Sequence, residues 1–408
     1  MSVATRGGAE VVNFGCRLNI AEGEAIRAAV REAAAPDTIV FNSCAVTDEA
    51  VRQARQAVRR ALRESPGRRV VVTGCAAELE SARFADMGAQ VVRNDAKGLA
   101  ASYGAGPAAV PGRDYTPALS GADHARAFLG VQTGCSHSCT FCATVIARGS
   151  ARSATINAVV ASARTALDRG QREIILTGVD LASYGDDSGA SLAALVEALL
   201  ALPDLERLRL SSLDPDRIDE ALFALLTREA RVMPHVHLSL QAGDDMVLTR
   251  MKRRHRRAGA VELTRRLKAA RPEIAIGADL IAGFPTEDET MFANSLALID
   301  DCDIVFGHIF PYSARAGTPA ARMPQVGRGV ARERAATLRE ANARRRHAWL
   351  DAQTGRITRM LVERDGLTGH GENFAALTLA APTAPGRIVP VRIGARDGER
   401  MAARELAA

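Results

Sequence analysis

The chain has 408 residues, 47% hydrophobic and 25% charged, enough to bury the cores of about two to four domains. Its 53 basic residues, only three of them lysines (Lys97, Lys252, Lys268), stand against 47 acidic ones, and the net charge of +6 permits a nucleic-acid partner without requiring one. No run approaches the ~18 apolar residues of a membrane span, and MSVATRGGAE lacks the apolar stretch of a signal peptide, so a cytoplasmic chain with no membrane partner is expected.

From the N-terminus, three β-like runs each end on a cysteine: VVNFGC (11–16), IVFNSC (39–44) and VVVTGC (70–75). A helix-like segment follows each, and Thr47 or Asp48 is placed to cap the second. Strand and helix alternating every ~30 residues predicts βαβ units on a parallel sheet, whose strands end along one ligand-binding edge. Cys16, Cys44 and Cys75 should converge there, on a shared metal or cluster rather than as three separate buried thiols.

Next comes GCSHSCTFC, in which Cys135, Cys139 and Cys142 form a C-x3-C-x2-C loop. Zinc sites use four ligands, and His137 is the alternative donor for one. An iron–sulfur cluster held by three thiolates keeps one iron open to an outside ligand, and Phe141 is an apolar neighbour suited to shielding it. Arg148 is near enough in sequence to reach a cofactor carboxylate bidentately.

Six strand candidates then alternate with helices: 126–132, 173–178, 207–212, 235–240, 275–283 and 303–310. They predict a partial (β/α)6 barrel with its chemistry at the carboxyl ends of the strands, where Thr177, Gly178, Ser211, Ser212, Gln241, Gly283 and Pro285 fall. A helix is expected over 329–350, with six arginines against Glu333 and Glu340. Short β-like runs split by Gly and Pro follow (RITRMLVE, FAALTLAA, RIVPVRIG) and predict a small β-barrel. The basic tract KRRHRR with Arg253 and Arg254, Arg344 and Arg345 on the helix, and Arg387 and Arg392 on the last strands are candidate RNA contacts or solvated faces. His235 and His237 read as structural strand residues and Cys302 as a buried thiol.

In this order the motifs NFGCRLN, FNSCAVT, VVTGCAAE, GCSHSCTFC, LTGVDLASYG, LRLSSLDP, PHVHLSLQAGDD, DLIAGFPTE and FPYSARAGTPAARMP resemble the methylthiotransferase family of radical S-adenosylmethionine (SAM) enzymes. The resemblance implies an α/β fold in three parts: an N-terminal α/β domain over 1–112, the radical SAM barrel over 121–350, and a TRAM-like RNA-binding β domain over 353–408. It also implies two 4Fe-4S clusters, with Cys135, Cys139 and Cys142 holding the one that binds SAM and Cys16, Cys44 and Cys75 an auxiliary one that carries sulfur. The implied reaction is methylthiolation of carbon 2 of a modified adenosine in the tRNA anticodon stem-loop, with SAM as both radical source and methyl donor. An electron donor such as flavodoxin or ferredoxin and a sulfur source would be partners.

GCRLN and HIFPYSARAGTPAARMPQV look most like the branch acting on threonylcarbamoyladenosine. The isopentenyladenosine branch is the runner-up, and a branch modifying an aspartate of a ribosomal protein fits less well. Gly23 stands where the family usually has serine, and Asp180 where asparagine or histidine is common. From another class, the rival is an RNA-binding protein whose metal sites are closed and serve only its folding.

Overall fold

A computed structural model describes residues 8–104 and 115–406; the expected boundary at 112 lies outside them. The chain opens with β1 (Glu10–Asn13), α1 (Arg17–Glu32), β2 (Thr38–Ser43), α2 (Asp48–Glu64), β3 (Arg69–Gly74), α3 (Cys75–Leu79), α4 (Ser81–Asp86) and β4 (Gln90–Val91). The four strands pair in parallel in the order β1-β2-β3-β4. Helices cover both faces, so every residue of β2 is buried and it reads as a continuous apolar run. Val11, Val40 and Val71 pack on Ile26 and Val30 of α1. On the opposite face Ile39, Phe41, Val70 and Val72 meet Val51 and Val58 of α2. The hydroxyl of Thr47 caps α2, accepting the Ala50 N–H at 3.1 Å.

The next strands are β5 (Ala118–Leu119), antiparallel to β6 (Ala127–Gly130), and the hairpin of β7 (Gln132–Thr133) and β8 (Arg152–Ser153), which brackets α5 (Thr144–Arg148). They lead into α6 (Ile156–Asp168), β9 (Glu173–Thr177), α7 (Leu192–Leu200), β10 (Arg207–Leu210), α8 (Glu220–Arg228) and β11 (His235–Gln241). Then come α9 (Asp245–Arg250), α10 (Arg257–Ala270), β12 (Ala275–Ala282), α11 (Glu289–Asp301), β13 (Ile304–Pro311) and α12 (Arg328–Asp351). Strands β6, β9 and β10 are parallel, as are β11, β12 and β13. Bridges Leu208–Val232 and Leu213–Leu238 join the two sets into one open barrel of six parallel strands.

Strand alternation sorts the barrel residues. Ile174, Leu176, Leu208, Leu210, Val236, Leu238, Ile276 and Ala278 pack outward against the helices. The intervening positions, among them Glu173, Arg207, Arg209, His235, His237 and Asp279, turn to the other face and line the lumen.

The chain ends in a closed barrel ordered β14-β15-β16-β18-β17. Its strands are β14 (Ile357–Val362), β15 (Thr368–His370), β16 (Ala376–Leu379), β17 (Ile388–Asp397) and β18 (Arg400–Glu405). This barrel closes the amino-terminal floor of the larger one. Arg209 donates to the carbonyls of Gly371 and Glu372, both at 2.8 Å, and Arg207 donates to that of Arg359 at 2.5 Å. Glu173, fully buried, takes Arg126, Arg207 and Arg209 at 3.1–3.3 Å. The small barrel therefore sits at the end of the molecule opposite the cysteine loop. No helix among the described residues is long and apolar enough to cross a membrane.

Candidate metal centres between the sheet and the barrel

The loop bearing Cys135, Cys139 and Cys142 leaves β7 at Gly134, whose φ of +69° puts its α-carbon against the Ser150 carbonyl; a Cβ there would lie 2.0 Å from that oxygen. Thr140 pins the middle of the loop. Its N–H donates to the Met251 carbonyl at 3.1 Å, its carbonyl accepts the Ala320 N–H at 2.9 Å, and its hydroxyl donates to the Arg250 carbonyl at 2.7 Å. Arg253 lies behind Cys139, with Nη1 3.4 Å from the sulfur and Nη2 2.8 Å from Asp214. Burial pushes two of these thiols up, Cys135 to about 12 with help from Asp180 and Cys139 against the opposing charge of Arg253. A bound metal would displace those protons, and a thiolate beside a guanidinium suits a metal ligand. His137 places Nδ1 3.9 Å from the Cys139 sulfur.

Around this loop stand the carboxyl ends of the barrel strands. Gln241 ends β11 at a φ of +68°, an unusual conformation for a residue with a side chain. The hydroxyls of Ser211, Tyr312 and Ser313 are buried without a partner among the described residues. Such orphaned donors fit a polar ligand at this rim. Thr177 is buried at the end of β9, and Ser212 is half-buried beyond β10. At Gly178 a Cβ would lie 2.8 Å from Gln132 Oε1, which accepts the N–H groups of Val179 and Asp180 at 3.0 Å. Gly283 packs against α12: at φ +70° its Cβ would lie 2.4 Å from that of Ala331, so its size answers to helix packing. Phe141 packs edge-on to Phe284, centroids 6.4 Å apart, beside the turn that holds Pro285.

The second thiol set lies at the edge of the N-terminal sheet. β1 ends at Asn13, three residues before Cys16, because Gly15 turns the chain at φ +82°; a Cβ on Gly15 would lie 2.4 Å from the Cys44 sulfur. Cys16 precedes α1, Cys44 follows β2, and Cys75 opens α3. Burial raises the Cys44 thiol to about 11, with Cys16 and Cys75 near enough to add to the rise. Gly23 makes room for Asn13, whose Nδ2 lies 2.3 Å from where a Cβ would stand.

Comparison with known proteins follows the same division. The radical SAM superfamily profile matches residues 129–299, and uncharacterized protein family UPF0004 matches residues 9–93. The chain is 40% identical over 403 residues to the threonylcarbamoyladenosine tRNA methylthiotransferase MtaB of Rickettsia prowazekii, covering 95% of this chain and 96% of that one. The chain belongs to the radical SAM tRNA methylthiotransferase family. It is also 31% identical over 395 residues to the tRNA-2-methylthio-N(6)-dimethylallyladenosine synthase of Erythrobacter litoralis (87% and 86% coverage). The fold is like that of the radical SAM methyltransferase TsrM from Kitasatospora setae, with a TM-score of 0.55 at 15% identity, covering 77% of this chain and 74% of that one. A member of this family uses SAM and a 4Fe-4S cluster.

Two sequence expectations meet a different geometry in this methylthiotransferase. Arg148, expected at a cofactor carboxylate, is buried at the end of α5 and committed to the N-terminal sheet. Its Nη atoms meet Glu22 at 2.8 and 3.0 Å and Asn19 at 2.9 Å, and its Nε lies 3.2 Å from the Cys75 sulfur. Lys97 completes this network on Glu22 at 2.5 Å. Against the upward push of burial, Arg148 and Lys97 hold the Glu22 carboxyl down at about 2. Arg253, expected on an RNA surface, is turned inward between Asp214 and Cys139 with 7% of its side chain exposed. Of the other candidates, Arg254, Arg387 and Arg392 are exposed. Arg344 pairs with Glu340 at 3.1 Å, and Arg345 with Asp303 through Nε at 2.6 Å.

Sequence reasoning passed over Glu22, Lys97, Asp214 and Glu173. Glu22 sits on an amphipathic helix, Glu173 opens a strand buried throughout, and Lys97 and Asp214 lie in loops; only the buried groups opposite would have marked them. Cys302 is buried, its thiol raised to about 11.

Proposed function

We propose that this enzyme methylthiolates carbon 2 of threonylcarbamoyladenosine beside the anticodon of tRNA, using a 4Fe-4S cluster on Cys135, Cys139 and Cys142 and a second one on Cys16, Cys44 and Cys75. The observation that carries the reading is the meeting of the two thiol sets across one residue: Arg148 leaves the helix just after Cys142 and donates to Cys75 at 3.2 Å. Three thiolates on each side, with no fourth cysteine near either, are the donor set for a cluster that keeps one iron open. When bound and reduced, the first cluster and SAM supply a 5′-deoxyadenosyl radical, the reagent an inert aromatic C–H bond requires.

The chain's own residues bind, orient and exclude water. Arg253 supports the thiolate of Cys139 from behind. Phe141 and Phe284 keep solvent from that side of the loop, and the orphaned hydroxyls of Ser211, Tyr312 and Ser313 offer donors to the SAM ribose and amino acid. Thr177, Gly178, Ser212, Gln241, Gly283 and Pro285 shape the same rim. No side chain is assigned as acid or base, since hydrogen-atom transfer needs none. Exposed Arg254, Arg387 and Arg392 would meet RNA phosphates. A flavodoxin or ferredoxin would supply electrons and a separate donor the sulfur, in the cytoplasm. Residues 1–112, 121–350 and 353–408 would serve as the auxiliary-cluster, radical and RNA-side domains.

The test is mass spectrometry of nucleosides from tRNA incubated with the reconstituted enzyme, SAM, reductant and sulfide. The 2-methylthio derivative of threonylcarbamoyladenosine is expected. Product on dimethylallyladenosine alone, or a bare thiol, would refute the assignment.

A further inference from the structure

Arg17 follows Cys16 directly, on the first turn of α1, and its side chain is turned into the barrel. The guanidinium carbon lies 5.5 Å over the ring of Phe374, beside a cavity of about 210 Å³ walled by Arg126, Ile175 and His370 among others. It makes no hydrogen bond or ion pair among the described residues. The carboxylates around it are already engaged: Glu173 is shared by Arg126, Arg207 and Arg209, and Glu363, on the same cavity, pairs with Arg126 and His370. A cation half withdrawn from water with no hydrogen-bonded partner of its own is costly, which makes it a place where an anion is gained on binding.

The β11–β13 side of the lumen carries a second polar group. His237 Nε2 and His308 Nδ1 both approach the same oxygen of Asp279, at 3.0 and 3.3 Å. Their rings are 4.5 Å apart, and Gly277 leaves the room that His237 occupies, a Cβ there falling 2.5 Å from Nδ1. With Nδ1 bound to Asp279, His308 keeps Nε2 for the lumen, and its side chain is 61% exposed there. His235 links the two walls: its ring is 5.0 Å from that of Phe374, under Arg17, and it feels the charges of both Arg17 and His308.

We infer that Arg17 and His308 form a carboxylate subsite in the barrel lumen, which on the substrate reading above takes the threonyl carboxylate of the modified adenine. Cys16 and Arg17 are consecutive, so on this proposal a base presenting carbon 2 to the auxiliary thiols would direct its N6 substituent towards the guanidinium. A guanidinium pairs with a carboxylate bidentately. A dimethylallyl group would leave Arg17 buried and unpaired, and an unpaired buried group rejects the wrong substrate more strongly than a poor apolar fit does.

The test uses the holoenzyme with two anticodon stem-loops, one carrying threonylcarbamoyladenosine as the free acid and one as its carboxamide, with KM and binding read for each. The wild-type enzyme should favour the acid by about tenfold or more. Arg17→Gln should bring the acid down to the level of the amide, Arg17→Lys should restore part of the preference, and His308→Gln should reduce it. An Arg17→Gln enzyme that folds, binds both loops and keeps the acid-over-amide ratio would overturn the subsite. A wild-type enzyme that methylthiolates dimethylallyl loops and ignores both of these would overturn the substrate reading instead, and the subsite with it.

Discussion

Replacing Glu22 by Gln tests the joint between the N-terminal sheet and the cysteine loop. The Glu22 side chain is 8% exposed and is the shared counter-charge of Arg148 and Lys97. Arg148 does more than Lys97 to hold Glu22 ionised, and burial with the neighbouring Arg148 pulls the Lys97 ammonium below its ordinary pKa despite Glu22. Holding a carboxyl of ordinary pKa 4.5 down at about 2 is worth about 3 kcal/mol. Removing the charge strands two buried cations, for which about 3–5 kcal/mol is the usual loss. The two routes agree on about 3 kcal/mol for Glu22→Gln, read by urea unfolding of the apoprotein near neutral pH. The pH dependence has a definite sign. A carboxyl depressed on folding stabilises fully above its unfolded pKa, so the contribution is lost as pH falls from about 4.5 towards 2. Glu22→Gln should lack that part of the slope. A loss below about 1 kcal/mol, or an unchanged slope over that range, would refute the idea that one carboxylate holds this joint.

Three further outcomes follow from the geometry. Gly15→Ala puts a Cβ 2.4 Å from the Cys44 sulfur at a φ of +82°; it should cost about 1–3 kcal/mol and lower iron incorporation at the auxiliary site only, read by iron content and electron paramagnetic resonance. Arg253→Met removes the support of Cys139 and leaves Asp214, buried, without its cation; the SAM-binding cluster should bleach faster in air, followed by its visible absorption, with the auxiliary signal unaffected. Glu173→Gln leaves Arg126, Arg207 and Arg209 without their shared carboxylate; it should destabilise the barrel floor by about 3–5 kcal/mol and expose the C-terminal barrel to limited proteolysis.

The α/β architecture was legible because its signals are local. Apolar runs ended by Gly-Cys or Ser-Cys marked β2 and β3 to within one residue, and Thr47 caps the helix it was expected to cap. The helix expected over 329–350 spans Arg328–Asp351. The C-terminal runs gave three strands of the small barrel, whereas Thr368–His370 and Arg400–Glu405 were missed. The first has only three residues and the second is rich in arginine, so neither shows an apolar alternation. The thiol spacing named the candidate metal ligands, since a three-cysteine loop is a short-range pattern. Long-range pairings were not legible. Arg148 and Arg253 each sit among basic residues that suggest a surface, and their carboxylate partners lie 126 and 39 residues away. Arginine alone cannot say whether it faces solvent or a buried acid.

The central claim is that two clusters serve one radical reaction, and anaerobic reconstitution followed by iron, sulfide and electron-paramagnetic measurement, with SAM added to the reduced sample, tests it most directly. Two clusters are predicted, one signal shifting on SAM addition with release of 5′-deoxyadenosine, and Cys16→Ala, Cys44→Ala and Cys75→Ala together should remove the other. A single cluster insensitive to those three substitutions, or zinc with every site closed, would contradict it.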